Sequence, residues 1–165
     1  MTLKTNKIYP RDGLVSGASG GIIQVKQTVD TTASQAVTST SYVDAGGLNV
    51  TITPQSASNK ILIMATTNIQ AFISASEING ALKLLRGSTD IIEYPYAFTM
   101  EAGASGNSRI FYNTNHTTTF LDSPATTSAT TYKIQLKIYT SANSAKLTYN
   151  QNSSKSTILA MEVCG

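Results

Sequence analysis

The chain has 165 residues, with 12 Lys and Arg against 9 Asp and Glu, a net charge of +3, and charged residues at only 13%, about half the usual share of roughly 25%. That is one domain's length, enough to bury a core without a disulfide or a metal. The single cysteine, Cys164, cannot close an internal bridge, and the single histidine, His116, excludes a multi-histidine metal site.

Polarity comes from hydroxyls and amides: 24 residues are Thr, 19 are Ser and 11 are Asn. Threonine suits a half-exposed sheet face. So little charge fits a surface largely hidden in an assembly, although an ordinary secreted β domain has a similar composition. No apolar run approaches the ~20 residues of a membrane span, and residues 1–20 lack the apolar core of a signal peptide. The expectation is a protein kept in the cytosol or exported without a cleaved leader.

Residues 1–21 (MTLKTNKIYPRDGLVSGASGG) combine Pro10, an Asp12-Gly13 turn and a small-residue stretch. This predicts an extended N-terminal arm. At about 3.3 Å per residue it could reach roughly 70 Å. Lys4, Lys7 and Arg11 make it basic, with no acid before Asp12, and Ile8 and Tyr9 are apolar. The charges could steer the arm onto an acidic protein surface, with Ile8 and Tyr9 as anchors; a merely solvated tail explains the same residues.

From residue 22 the pattern is strand, turn, strand. Residues 22–29 place Ile23, Val25 and Val29 on one face. In 48–53, Leu48, Val50 and Ile52 point inward. Residues 60–70 put Ile61, Ile63, Ala65 and Ile69 in phase, as in a central strand, and 81–86 and 90–94 flank a Gly87-Ser88 hairpin turn. Residues 109–112 and 117–121 form two strands or one long bent one. Residues 131–139 alternate most clearly, with Tyr132, Ile134, Leu136 and Ile138 on one face; 146–149 and 156–163 complete the set. A short helical turn is expected near 33–37 or 71–78. Eight to ten strands at this spacing predict an all-β fold: an antiparallel β-sandwich, jelly-roll-like, over residues 22–165 with the arm at 1–21.

No chemical constellation emerges. The stretch 17–21 (GASGG) lacks the Lys-Ser/Thr of a phosphate loop and precedes a strand, so it is a linker. Glu77, Asp90, Glu93, Glu101 and Asp122 are scattered, without the pairing that glycoside hydrolysis needs, and are expected as solvated charges. His116 lies among small polar residues, and Cys164 is expected to be buried and inert. Basic residues outside the arm are dispersed, so nucleic-acid binding is not expected. Tyr94, Tyr96 and Phe98 could line a sugar site, but Pro95 interrupts their strand, and core or interface packing explains them better. These observations predict no catalytic, metal or cofactor site.

The succession GGIIQVKQ at 20–27, TSTSYVD at 38–44, LNVTITP at 48–54, SNKILI at 58–63, FLDSPATTSATTYKIQ at 120–135 and STILAMEV at 156–163 resembles virion proteins of tailed bacteriophages, frequent in phages of cyanobacteria. The opening TLKTNKI and Arg11-Asp12-Gly13 look like the lead-in such modules carry. The resemblance implies a trimeric β-sandwich displayed on the particle, with no catalytic residues. Only about 21 residues precede the sandwich, which leaves no fibre shaft. This favours a capsid decoration (cement) protein whose partners are its own copies and the major capsid protein; the alternative is a head- or tail-fibre tip binding the host surface or a carbohydrate.

Overall fold

The computed structural model describes residues 20–73, 77–101, 110–140 and 144–165. Ten strands are present among them: β1 Ile22–Asp30, β2 Gln35–Val37, β3 Val43–Ile52, β4 Lys60–Ile73, β5 Glu77–Arg86, β6 Thr89–Glu101, β7 Ile110–Asp122, β8 Thr130–Ile138, β9 Lys146–Tyr149 and β10 Ser156–Val163. All pairings are antiparallel.

Without the short strands β2 and β9, the chain is one long hairpin ribbon. β1 pairs with β10, β3 with β8, β4 with β7, and β5 with β6. The tip of the ribbon is the turn at Gly87-Ser88, as the sequence predicts; Gly87 adopts φ 59°, which glycine permits without strain. Rolling the ribbon brings β10 beside β4 and β8 beside β5. The results are a six-stranded sheet centred on β4 and a four-stranded sheet ordered β3-β8-β5-β6. This rolled ribbon is the jelly-roll form of the antiparallel β-sandwich.

Alternation fills the space between the sheets. Ile61, Ile63, Ala65, Ile69, Ala71 and Ile73 of β4 meet Leu48, Val50 and Ile52 of β3 and Tyr132, Ile134, Leu136 and Ile138 of β8 in one buried cluster. Each buried Leu, Ile or Val among them contributes about 1.5–3 kcal/mol by leaving water.

Three expectations change, and one choice between alternatives is settled. Residues 35–37 form strand β2, paired with β9, instead of a helical turn. Residues 71–73 continue β4, and 77–78 begin β5, so the described part of 71–78 is strand as well. The segment 109–121 resolves to one strand over its described part, β7, paired along the whole of β4. Finally, β6 continues past Pro95 to Glu101, with an irregularity there. It is an edge strand, where proline's missing N–H costs no ladder bond. The ladder steps from Leu82↔Tyr94 to Gly80↔Phe98, so β6 carries extra residues there, and Tyr96 takes φ 55°.

Candidate functional site

The arm residues Lys4, Lys7, Ile8, Tyr9 and Arg11, and the linker to residue 19, lie outside the described residues. The described residues build a set of buried polar locks and two contrasting outer faces.

Three carboxylates are buried at the ends of the sandwich: Asp30, Asp122 and Glu162. Asp30 ends β1. Its Oδ2 accepts the Tyr149 hydroxyl at 2.6 Å and the Gly47 N–H at 2.9 Å; its Oδ1 accepts the Thr32 N–H at 2.8 Å and the Thr32 hydroxyl at 2.7 Å. Burial opposes ionisation, but these donors outweigh it and hold the carboxyl below the usual aspartate value. Burial, together with the same contact, raises the Tyr149 phenol. Gly46 is obligatory beside it: φ is 52°, and a Cβ would sit 2.5 Å from Asp30 Oδ2 and 2.6 Å from Tyr149 Cε1.

Glu162 accepts the Gln55 N–H, the Asn59 side-chain amide and the Gln24 side-chain amide, each at 2.6 Å. Burial again opposes ionisation and the donors again prevail, so its carboxyl lies below the usual glutamate value. Asp122 accepts Arg86 Nη1 at 2.9 and 2.7 Å and the Tyr132 hydroxyl at 2.7 Å. Of the carboxylates expected as solvated, Asp122 is therefore the exception. It terminates β7 facing inward, where Arg86 of β5 neutralises it.

The other carboxylates singled out in the sequence are exposed. Asp90 pairs with Lys83 at 2.8 Å, and Glu93 accepts the Tyr42 hydroxyl at 2.5 Å. Glu77 and Glu101 stand opposite each other in register at the end of the β5–β6 ladder. His116 lies part-buried between the sheets. Its ring meets Tyr94 edge-on at 4.9 Å and Phe98 at 5.7 Å, and burial holds its pKa below the usual histidine value. Thr67, its register partner, buries a hydroxyl that has no hydrogen-bond partner. Cys164 is only partly buried, and its N–H is paired to Gly21 O at 2.8 Å. Among the described residues no three or more His, Cys, Asp or Glu gather as metal ligands would, and no helix is long and apolar enough to cross a membrane. These buried groups act as hydrogen-bond acceptors that fix corners of the roll, with their lone pairs already engaged.

The two outer faces are unlike. On the four-stranded sheet, Lys133 pairs with Asp44 at 2.9 Å and Lys137 approaches Glu93 at 3.9 Å. Lys83 and Lys137 lie 4.4 and 4.5 Å from the Tyr42 ring centroid. Tyr96, 61% exposed, stacks on Tyr139 at 4.7 Å, whereas Phe98 is buried and Tyr94 packs against the core. The three aromatics at alternate positions thus part company at the Pro95 irregularity.

On the six-stranded sheet the register aligns outward side chains into rows. One row is Val25, Met161, Leu62 and Leu121 across β1, β10, β4 and β7. The next is Gln27, Leu159, Met64 and Thr119; the third is Val29, Thr157, Thr66 and Thr117. Val25 is 54% exposed, Leu121 46% and Met64 41%. Beyond the threonines the strands turn polar, with an Asn68–Asn115 contact at 2.9 Å and a Gln70–Asn113 contact at 3.0 Å. The sequence grouping of Ile23, Val25 and Val29 holds for Val25 and Val29, but they face outward. Their strand turns Gln24 inward to Glu162 instead. The sequence signal for this face is that residues 60–64 and 156–163 are apolar on both sides of their strands.

No protein-family model and no curated protein matches the sequence. Among solved structures, the chain is similar to the VP2 subviral particle of infectious bursal disease virus, at 12% identity and a TM-score of 0.39, over 99% of this chain and 38% of that one. It is similar at 9% identity and a TM-score of 0.41 to the T13 viral particle of the same virus, over 96% of this chain and 35% of that one. This chain thus spans little more than a third of the length of those viral chains.

Proposed function

We propose that this chain is a virion structural protein of the tailed-bacteriophage kind: a homotrimeric decoration protein that binds the outer capsid. The observation that carries this reading is the apolar face of the six-stranded sheet that the other described residues leave exposed, in a molecule whose buried carboxylates are engaged as structural acceptors. Apolar surface across four adjacent strands is a feature of a component that is completed by assembly. The run of phage-like segments in the sequence and a jelly-roll form common among viral capsid domains support it.

The mechanism is mass action. A protein that binds the closed shell better than free capsomers shifts the balance toward the shell. Three linked modules raise one another's effective concentration, so modest contacts add up to firm attachment. In this reading the N-terminal arm reaches the major capsid protein, with Lys4, Lys7 and Arg11 meeting acidic surface and Ile8 and Tyr9 filling apolar recesses. Ordering the arm costs about 1–2 kcal/mol per residue, which confines the ordered state to the particle.

The decisive measurement is the number of copies per purified particle by quantitative protein staining. Hundreds are expected, and absence from particles overturns the reading. Deleting residues 1–20 should lower occupancy while leaving the oligomer intact; unchanged occupancy removes the arm from the mechanism. The second reading, a fibre tip that binds carbohydrate, is favoured by one observation, the exposed Tyr96 platform stacked on Tyr139. It predicts few copies per particle and loss of host-surface binding in Tyr96→Ala.

A further inference from the structure

We infer that the outer face of the six-stranded sheet is the surface through which copies of this chain meet, with Leu62, Met64, Leu121, Val25, Leu159 and Met161 at its centre. The inference rests on the self-association proposed above and names the surface that produces it.

Area supports a second copy as the occupant. Four apolar side chains of this face, Val25, Val29, Leu121 and Met64, are 41–54% exposed, and with Leu62, Leu159, Met161 and the adjoining threonines they form a contiguous patch on the several-hundred-Å² scale that marks an interaction site. The anatomy matches as well. The centre is apolar and free of charge, and it is bounded by Thr66, Thr117, Thr119 and Thr157 and then by the Asn68–Asn115 and Gln70–Asn113 amides, a dry centre with a hydrogen-bonding rim. Among the described residues, the charges in register with the face are Lys60 at one margin and Lys146, opposite Phe72, at the other. Two copies therefore meet there without bringing a carboxylate into the apolar centre.

Symmetry accommodates self-packing. In a closed three-fold ring each copy's face is shared between two neighbours, so one patch serves every contact of the ring. The opposite outer face lacks these properties. Its Lys and Asp or Glu side chains are already matched within the chain, so pairing through it would desolvate ions that water and their own partners satisfy. In a trimer, three such faces turn toward the common axis.

The test is analytical ultracentrifugation of the full chain over a concentration series up to about 100 µM, alongside Met64→Glu, Leu121→Lys and, on the opposite face, Thr51→Glu. Wild type and Thr51→Glu should sediment as the same oligomer, and each six-stranded-face variant should raise the dissociation constant at least tenfold. Circular dichroism melts confirm that each variant is folded, and Val25→Glu on the edge strand substitutes for any that is not. An oligomer unchanged by the face variants overturns this surface and leaves self-association standing. A monomeric wild type overturns both, while the copy number per particle still decides the virion reading. A wild-type monomer that associates only when residues 1–19 are removed shows that the chain's own N-terminal segment covers the face, and this also overturns the inference.

Discussion

At the scale of single residues, proton uptake reports how the roll is locked. Burial disfavours the His116 imidazolium, so the folded chain holds this pKa below the usual ~6.5. The unfolded chain then binds the proton first, and stability declines as pH falls from about 6.5. Asp30 and Glu162 are held below their usual values by their donors. Their contribution is complete above about pH 4 and is lost as pH falls through the lower folded-state values. Both slopes have the same sign. The melting temperature should be level between about pH 7 and pH 9, decline gently toward pH 5 and drop steeply below about pH 4. His116→Gln should flatten the first decline and leave the second unchanged. A wild type that gains stability between pH 7 and pH 5 contradicts this assignment.

At the scale of elements, the β5–β6 ladder contains a conflict that can be relieved. Glu77 and Glu101 are directly opposed at its end, and like charges across a strand pair cost about 0.2–1 kcal/mol. Glu101→Lys turns the pair into an attraction and should raise the melting temperature by about 1–4 °C for a domain of this size. The gain should shrink in 0.5 M salt, roughly a tenfold excess over low-salt buffer, because both groups are exposed. A salt-independent gain points to a cause other than charge. That opposition is invisible in the sequence, because it depends on the register that the Gly87-Ser88 turn sets and the irregularities at Gly80 and Leu84 adjust. Where one face is apolar and the other polar, as in β3 and β8, alternation alone identifies the core residues, and Leu48, Val50, Ile52, Tyr132, Ile134, Leu136 and Ile138 are legible. β1 shows the limit of that signal. Its apolar residues Val25 and Val29 share a face, but the polar set Gln24, Thr28 and Asp30 turns inward, where Gln24 finds Glu162 and Asp30 finds Tyr149. Direction comes from partners more than a hundred residues away. The candidate assembly face is legible only in part: residues 60–64 and 156–163 are apolar on both sides of their strands, but the rows exist only after β1, β10, β4 and β7 have been set side by side.

At the scale of the whole molecule, the last strand holds the first in place. β10 lies between β1 and β4, pairs with both, and buries Ile158 and Ala160 while carrying the Glu162 lock. Nothing local can stand in for it, because β1 has its ladder partner in β10. A chain ending at residue 155 leaves β1 unpaired and opens one half of the β4 edge to water. It also removes Ser156, whose hydroxyl donates to Asn150 Oδ1 at 2.7 Å and accepts the Asn68 N–H at 2.9 Å. The loss of two buried aliphatic contacts, a carboxylate lock and an entire central strand exceeds the ~5–15 kcal/mol by which domains are stable. The truncated chain should therefore show no cooperative urea transition by circular dichroism. The chain lacking residues 1–19 keeps every described strand pair and should retain a single cooperative transition. Closure of the ribbon between its two ends also makes the topology non-local, so refolding belongs in the millisecond-to-second range or slower. A cooperative transition in the chain without β10 means that the sheet closes by another route, and the β1-β10-β4 order is then not what stabilises the roll.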